Sequence, residues 1–191
     1  MLLLCVGLIL FIVFHLLPTN VSMRAGLAGK FGEAGVKGIV AVGSLIGFLL
    51  IIYGYGKMQG SSKNPVLWDP PIWTQHITLL LMVFSMIALA ATYIPSRIQS
   101  ALKHPMLLAV KIWALAHLLA NGDLASVLLF GGFLAWAVYD RISLKRRGNL
   151  GPGPSNASIV NDVAVIAVGL GLYAVMVKWG HAYLIGVGVI G

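Results

Sequence analysis

Five histidines are set in a chain of 191 residues that is 59% hydrophobic, and their placement is the first chemical signal. His117 lies well inside an uncharged apolar run; at about 100° per residue, Trp113 and Asn121 share its helix face. His15 closes the first apolar run, while His76, His104 and His181 stand at the edges of others. His104 precedes His117 by 13 residues, which turns it about 140° away on a continuous helix. Those two cannot grip one small ligand, so a partner for His117 has to come from another helix. Depth in the membrane favours His76 or His181, because His15 would stand on the order of 10 Å away along the axis. Two imidazoles from different helices suit a b-type haem, which they bind axially while the apolar bundle holds the macrocycle. A buried histidine hydrogen-bonded to a backbone carbonyl answers the same pattern, and both readings stay open. Lys111 is the only basic residue near the middle of a span. It either snorkels toward the headgroups or neutralises an anion such as a haem propionate.

The elements that must position these groups follow from composition. Charged residues make up 9% of the chain, against roughly 25% in a soluble domain, so too few exist to coat a water-facing globule. An all-α membrane helix bundle is predicted, and a soluble nucleic-acid binder is excluded. The apolar stretches predict about six transmembrane helices: Met1–Leu17, Gly38–Gly56, Trp73–Pro95, Pro105–Ala120, Leu124–Ile142 and Val163–Gly180. Asn121-Gly122 ends the fourth helix, Asp123 caps the fifth, and Asp162 opens the sixth as a cap. The apolar tail His181–Gly191 is too short to cross, which places it at the interface or folded back into the bundle. Met1–Leu17 has no basic leader and no small-residue cleavage site after it, so it is read as a retained helix rather than a signal peptide. The one cysteine, Cys5, excludes a disulfide framework, a zinc cluster and a covalent haem attachment.

The 13 Lys and Arg outnumber the 5 Asp and Glu, and their distribution orients the bundle. Arg24, Lys30, Lys37, Arg97, Lys103, Arg141, Lys145, Arg146 and Arg147 fall on one side, against Lys57, Lys63 and Lys178 on the other. By the positive-inside rule both termini face away from the cytoplasm. The Arg141, Lys145, Arg146 and Arg147 cluster is expected to meet anionic lipid and to fix topology. Trp68 and Trp73 suit an interfacial aromatic belt, and Gly148–Ser158 reads as a loop within a single domain, residues 1–191.

The segment His104-Pro-Met-Leu-Leu-Ala-Val-Lys-Ile-Trp-Ala-Leu-Ala-His-Leu-Leu-Ala-Asn-Gly-Asp123 resembles the signature of the NnrU family of bacterial membrane proteins. A histidine in the first helix, Leu67-Trp-Asp-Pro-Pro71, and Phe133-Leu-Ala-Trp-Ala-Val-Tyr-Asp-Arg-Ile142 agree with it, so the likeness covers nearly the whole chain. The resemblance implies a multi-pass protein of the bacterial inner membrane, associated with denitrification through nitrite and nitric oxide reduction. It also implies kinship to plant zeta-carotene isomerase, a membrane haem b enzyme. One haem ligand of that enzyme matches His117 and the other matches His15, which makes these two the implied metal ligands and His76 the alternative. Trp113, Asn121 and Lys111 would shape the cofactor pocket. This chain is shorter than the plant enzyme and lacks its plastid-targeting extension.

Three functions are weighed. The first is a haem-b protein acting in redox chemistry of nitrogen oxides, or a haem-dependent cis–trans isomerase of a carotenoid-like lipid. The second is a non-catalytic accessory or assembly protein for nitrite or nitric oxide reduction, with a membrane redox partner. A transporter is least favoured, since no acidic residue sits mid-span to relay ions.

Overall fold

The computed structural model describes residues 1–153 and 156–189. Among these the fold is all helical, apart from one isolated bridge between Val66 and Asp123. In chain order the helices are α1 (Leu2–Leu16), α2 (Val21–Met58), α3 (Ile72–Tyr93), α4 (Arg97–Leu102), α5 (Pro105–Ala120), α6 (Leu124–Arg146), α7 (Ile159–Val175) and α8 (His181–Ile185). A π turn, Met176–Gly180, joins α7 to α8. Five segments are long and apolar enough to cross a bilayer: Leu2–Thr19, Val21–Met58, Ile72–Tyr93, Leu124–Arg146 and Ile159–Ile185. The remaining expected span, α5, has 16 residues, about 24 Å against roughly 30 Å of hydrocarbon.

The sequence reading departs from the structure in three places. The segment after the first span, which carries Arg24 and Lys30, was expected as a loop but is helical from Val21. Asn20 caps it by accepting from the Met23 N–H at 3.0 Å. The break falls instead at Gly32 (φ 71°, ψ 167°), backbone that glycine adopts without steric cost, and Arg24 reaches across it to Glu33 at 2.6 Å. Asp162 is not the cap of its helix. Ser158 is, through its Oγ and the Val160 N–H, while Asp162 pairs with Arg97 Nε at 2.6 Å and accepts from the Ile98 N–H. Finally, the sixth span does not stop at Gly180. It runs on through the π turn into α8 and ends at Gly186, whose left-handed backbone (φ 80°) stops the helix.

The chain divides into two compact units. The first comprises Met1–Asp69 and Asn121–Leu144. Here α1 lies on α2 almost backbone to backbone. A Cβ at Gly47 would stand 2.6 Å from the Phe11 nitrogen, and one at Gly54 2.5 Å from that of Leu4. The spacing Gly43-x-x-x-Gly47 gives the small-residue stripe that lets lipid-immersed helices approach closely. The N-terminal half of α6 joins them, with Gly132 facing Leu8 and Ile12.

The second unit comprises Pro70–Ala120 and Lys145–Gly191. Its central helix is α3, flanked by α5 and α7. Ser85 Oγ donates to the Ala109 carbonyl at 2.9 Å and Thr78 Oγ1 to that of Ala116 at 2.8 Å, which ties α5 to α3. On the other side Gly169 of α7 sits against Ile87, and Ala90, Ala91 and Val165 form a small buried core.

Candidate functional site

His117 is half-buried near the C-terminal end of α5. Its Nδ1 lies 2.8 Å from the Trp113 carbonyl, one helical turn back. A carbonyl only accepts, so the bond places the ring proton on Nδ1 and, in the neutral imidazole, the lone pair on Nε2. The Trp113 ring stands 5.4 Å away, centroid to centroid, as their spacing of four predicts. A further neighbouring ring is His181, at 6.5 Å and 19° from parallel. His181 carries the same bond: its Nδ1 lies 2.7 Å from the Val187 carbonyl, delivered by the chain reversal at Gly186. The second unit therefore holds two imidazoles of one tautomer side by side.

His15, at the end of α1, repeats the device in the first unit. Its Nδ1 lies 2.9 Å from the Phe11 carbonyl and 3.1 Å from Ser44 Oγ. Its ring stacks on Phe11 at 3.9 Å and meets the edge of Trp136 at 5.3 Å, with Phe133 also against Phe11. The Trp136 indole nitrogen is buried and has no hydrogen-bond partner among the described residues.

The other expected site residues spread out. Lys111 is on α5 but about 120° round the helix from His117 and about 9 Å along it, so the two serve different faces. Asn121 is the first residue beyond α5 and belongs to the first unit. His76 is exposed on the first turn of α3. His104 bonds through Nε2 to the Asn149 carbonyl at 3.2 Å, the opposite tautomer to His15, His117 and His181. Arg141, Lys145 and Arg146 occupy the last turns of α6 and Arg147 follows them. The buried Arg141 Nη1 has no hydrogen-bond partner among the described residues.

Two residues of these surroundings escaped the sequence reading. Trp136 lies inside a quoted motif but was given no role there. Ser44 is the one hydroxyl inside the Gly43–Gly47 stripe. His181 was named by the depth argument, together with His76.

A polar cluster in the first unit fixes the start of α6. Asp123 caps the helix through the Ser126 N–H at 3.0 Å and also accepts from Ser126 Oγ at 2.6 Å and Asn64 Nδ2 at 2.7 Å. Tyr55 extends the chain to Ser126 at 2.9 Å. Burial acts to raise the Asp123 carboxyl, but the donors from Ser126 and Asn64 outweigh it and hold the group below its ordinary value. The Leu67–Trp68 strap donates two backbone N–H groups to the Gly122 carbonyl, and only a glycine leaves room for the strap at position 122.

Long apolar helices with ionisable side chains turned into their packing define the class: an all-α integral membrane protein. Within that class the chain belongs to the NnrU protein family, which matches residues 3–189. No curated protein and no solved structure matches it.

Proposed function

We propose that this NnrU protein binds a b-type haem through His117 in the bacterial inner membrane. The bound haem would supply redox chemistry tied to nitrogen-oxide metabolism or cis–trans isomerisation of a carotenoid-like lipid. The observation that carries the reading is the fixed tautomer of His117. Its Nδ1–H is committed to the Trp113 carbonyl, and metal-binding histidines usually donate their second nitrogen in this way. The donor set fits the group: imidazole for the iron, an aromatic wall from Trp113, and lipid-soluble helices around it. When bound, the haem supplies an iron whose electron count and axial bonds can change. The protein's own part is to hold the His117 ring in one orientation and to keep bulk water away. The family resemblance offers His15 as the second ligand, and its Nδ1 is likewise committed.

The basic end of α6 supports the orientation with both termini outside the cytoplasm. Lys145, Arg146 and Arg147 are exposed at this end and suit an anionic headgroup. Reporter fusions at Asn149 and at the C-terminus should report opposite sides of the membrane.

The test of the haem reading is optical. Protein purified in mild detergent from haem-replete cells should show oxidised and reduced b-type spectra, and His117→Ala should lose at least nine-tenths of the haem. A colourless wild-type protein would sink this reading and leave a non-catalytic accessory role.

A further inference from the structure

We infer that His181, from the last helix, is the second axial imidazole facing His117. The inference rests on the haem reading above and concerns only which histidine completes the pair.

Geometry is the first support. Two imidazoles bound to opposite sides of one metal, with metal–nitrogen bonds of about 2 Å, place their ring centroids roughly 6 Å apart. Neighbouring ligands of a tetrahedral ion would bring them to about 5 Å. The observed separation is 6.5 Å, which matches the opposed arrangement. Both rings already place the proton on Nδ1 and the lone pair on Nε2. Each is locked by a backbone carbonyl, as expected for an oriented ligand.

The second support is helical phase. Val165 and Gly169 mark the buried face of α7, the face that meets α3. His181 is 12 residues beyond Gly169, and in an unbroken α-helix it would point about 120° away from that face. The π turn Met176–Gly180 absorbs about one extra residue, seen in the His181 N–H bonding back to the Met176 carbonyl. That correction brings His181 to within about 20° of the Gly169 face, the face of α7 that packs against α3. A π turn is rare and recurs at functional sites; here its effect is to deliver an imidazole.

The third support is the return of the chain. Gly186 takes left-handed backbone and Val187 comes back to accept from His181 Nδ1. That bond from the returning chain fixes the rotation of the ring.

The test compares ferric and ferrous spectra of the purified protein with those of His181→Ala, His181→Met and His15→Ala. The wild type is expected to be six-coordinate and low-spin. His181→Ala should turn high-spin and bind haem at least tenfold more weakly. His181→Met should restore a low-spin iron and add the thioether-to-iron charge-transfer band, which no merely structural role would produce. His15→Ala should keep the low-spin spectrum. If His181→Ala stays low-spin while His15→Ala loses that state, the assignment is overturned and the resemblance-derived ligand stands. A low-spin wild type with no thioether band and no low-spin recovery in His181→Met also overturns it. A wild type that takes up no haem removes the Proposed function itself, an outcome distinct from either.

Discussion

The two units join their helices by different means. In the first, glycines let α1 and α2 touch along the backbone, and stability comes from close packing of atoms. In the second, α3 grips α5 with hydroxyl-to-carbonyl bonds and meets α7 through a small alanine–valine core. Lipid tails are as apolar as the helices, so burying apolar surface drives little association inside a bilayer. Dispersion is the resource where α1 meets α2 and where α3 meets α7, and hydrogen bonding is the resource where α3 meets α5. The histidines of the two units differ too: His15 is wedged among Phe11, Ser44 and Trp136, whereas His117 has a tryptophan and a second imidazole for neighbours.

This contrast can be broken by substitution. The largest effect should come from Gly47→Leu. Its Cβ would press on rigid backbone 2.6 Å away, costing about 3 kcal/mol or more in detergent unfolding. Gly171→Ala, with nothing within 4 Å, should instead be neutral or stabilising by up to about 1 kcal/mol. Should both glycines tolerate alanine and leucine equally, close packing would not be what holds the first unit.

Next comes the cap of α6. Asp123→Ala should cost about 1–2 kcal/mol at pH 7. Because the folded carboxyl titrates below its ordinary value, its stabilisation is complete above the unfolded value near 4 and fades as pH falls through the folded one. The difference between wild type and Asp123→Ala should therefore shrink in acid. A difference constant down to the lowest pH would assign the cost to packing alone. Ser85→Ala in the second unit should lose about 0.6 kcal/mol, the usual worth of such a bond in lipid. The smallest effect is expected for Arg97→Ala, since its guanidinium is half-exposed and solvent screens its ion pair with Asp162.

The positions of the helices were legible because uncharged runs near 20 residues have few alternatives in lipid. The turn Asn121-Gly122-Asp123 was legible too: its capping chemistry is local, and α5 ends at Ala120 with Asp123 bonded to Ser126 as expected. Asp162 misled because an acidic residue near a helix start has two outlets, and the choice of Arg97 over its own N-terminus depends on where α4 lies. The π turn left no local mark at all. Met176–Gly180 contains nothing that distinguishes it from α-helix, and its hydrogen-bond shift is set by what the helix meets on either side. Lys178 invited an early end to the span, yet its ammonium lies 4.7 Å over the Trp179 ring, a contact that settles a cation near an interface without stopping the helix. His117 with Trp113 was readable from spacing alone, whereas depth named His181 only together with His76, and separating the two required knowing the phase shift that the π turn introduces.

The two hydroxyl bonds of α3 also act as a ruler. Thr78 meets Ala116 and Ser85 meets Ala109, seven residues apart on each helix and running in opposite senses. Two teeth at one heptad spacing engage together or not at all. Sliding α5 by a single turn, about 5.4 Å, would disengage both. Leucine and alanine surfaces slide past one another with little preference for any one position. The hydroxyls supply that preference, and Thr78 does so against the residue directly before His117. They set the altitude of His117 in the membrane, and with it the depth at which anything the imidazole holds must lie.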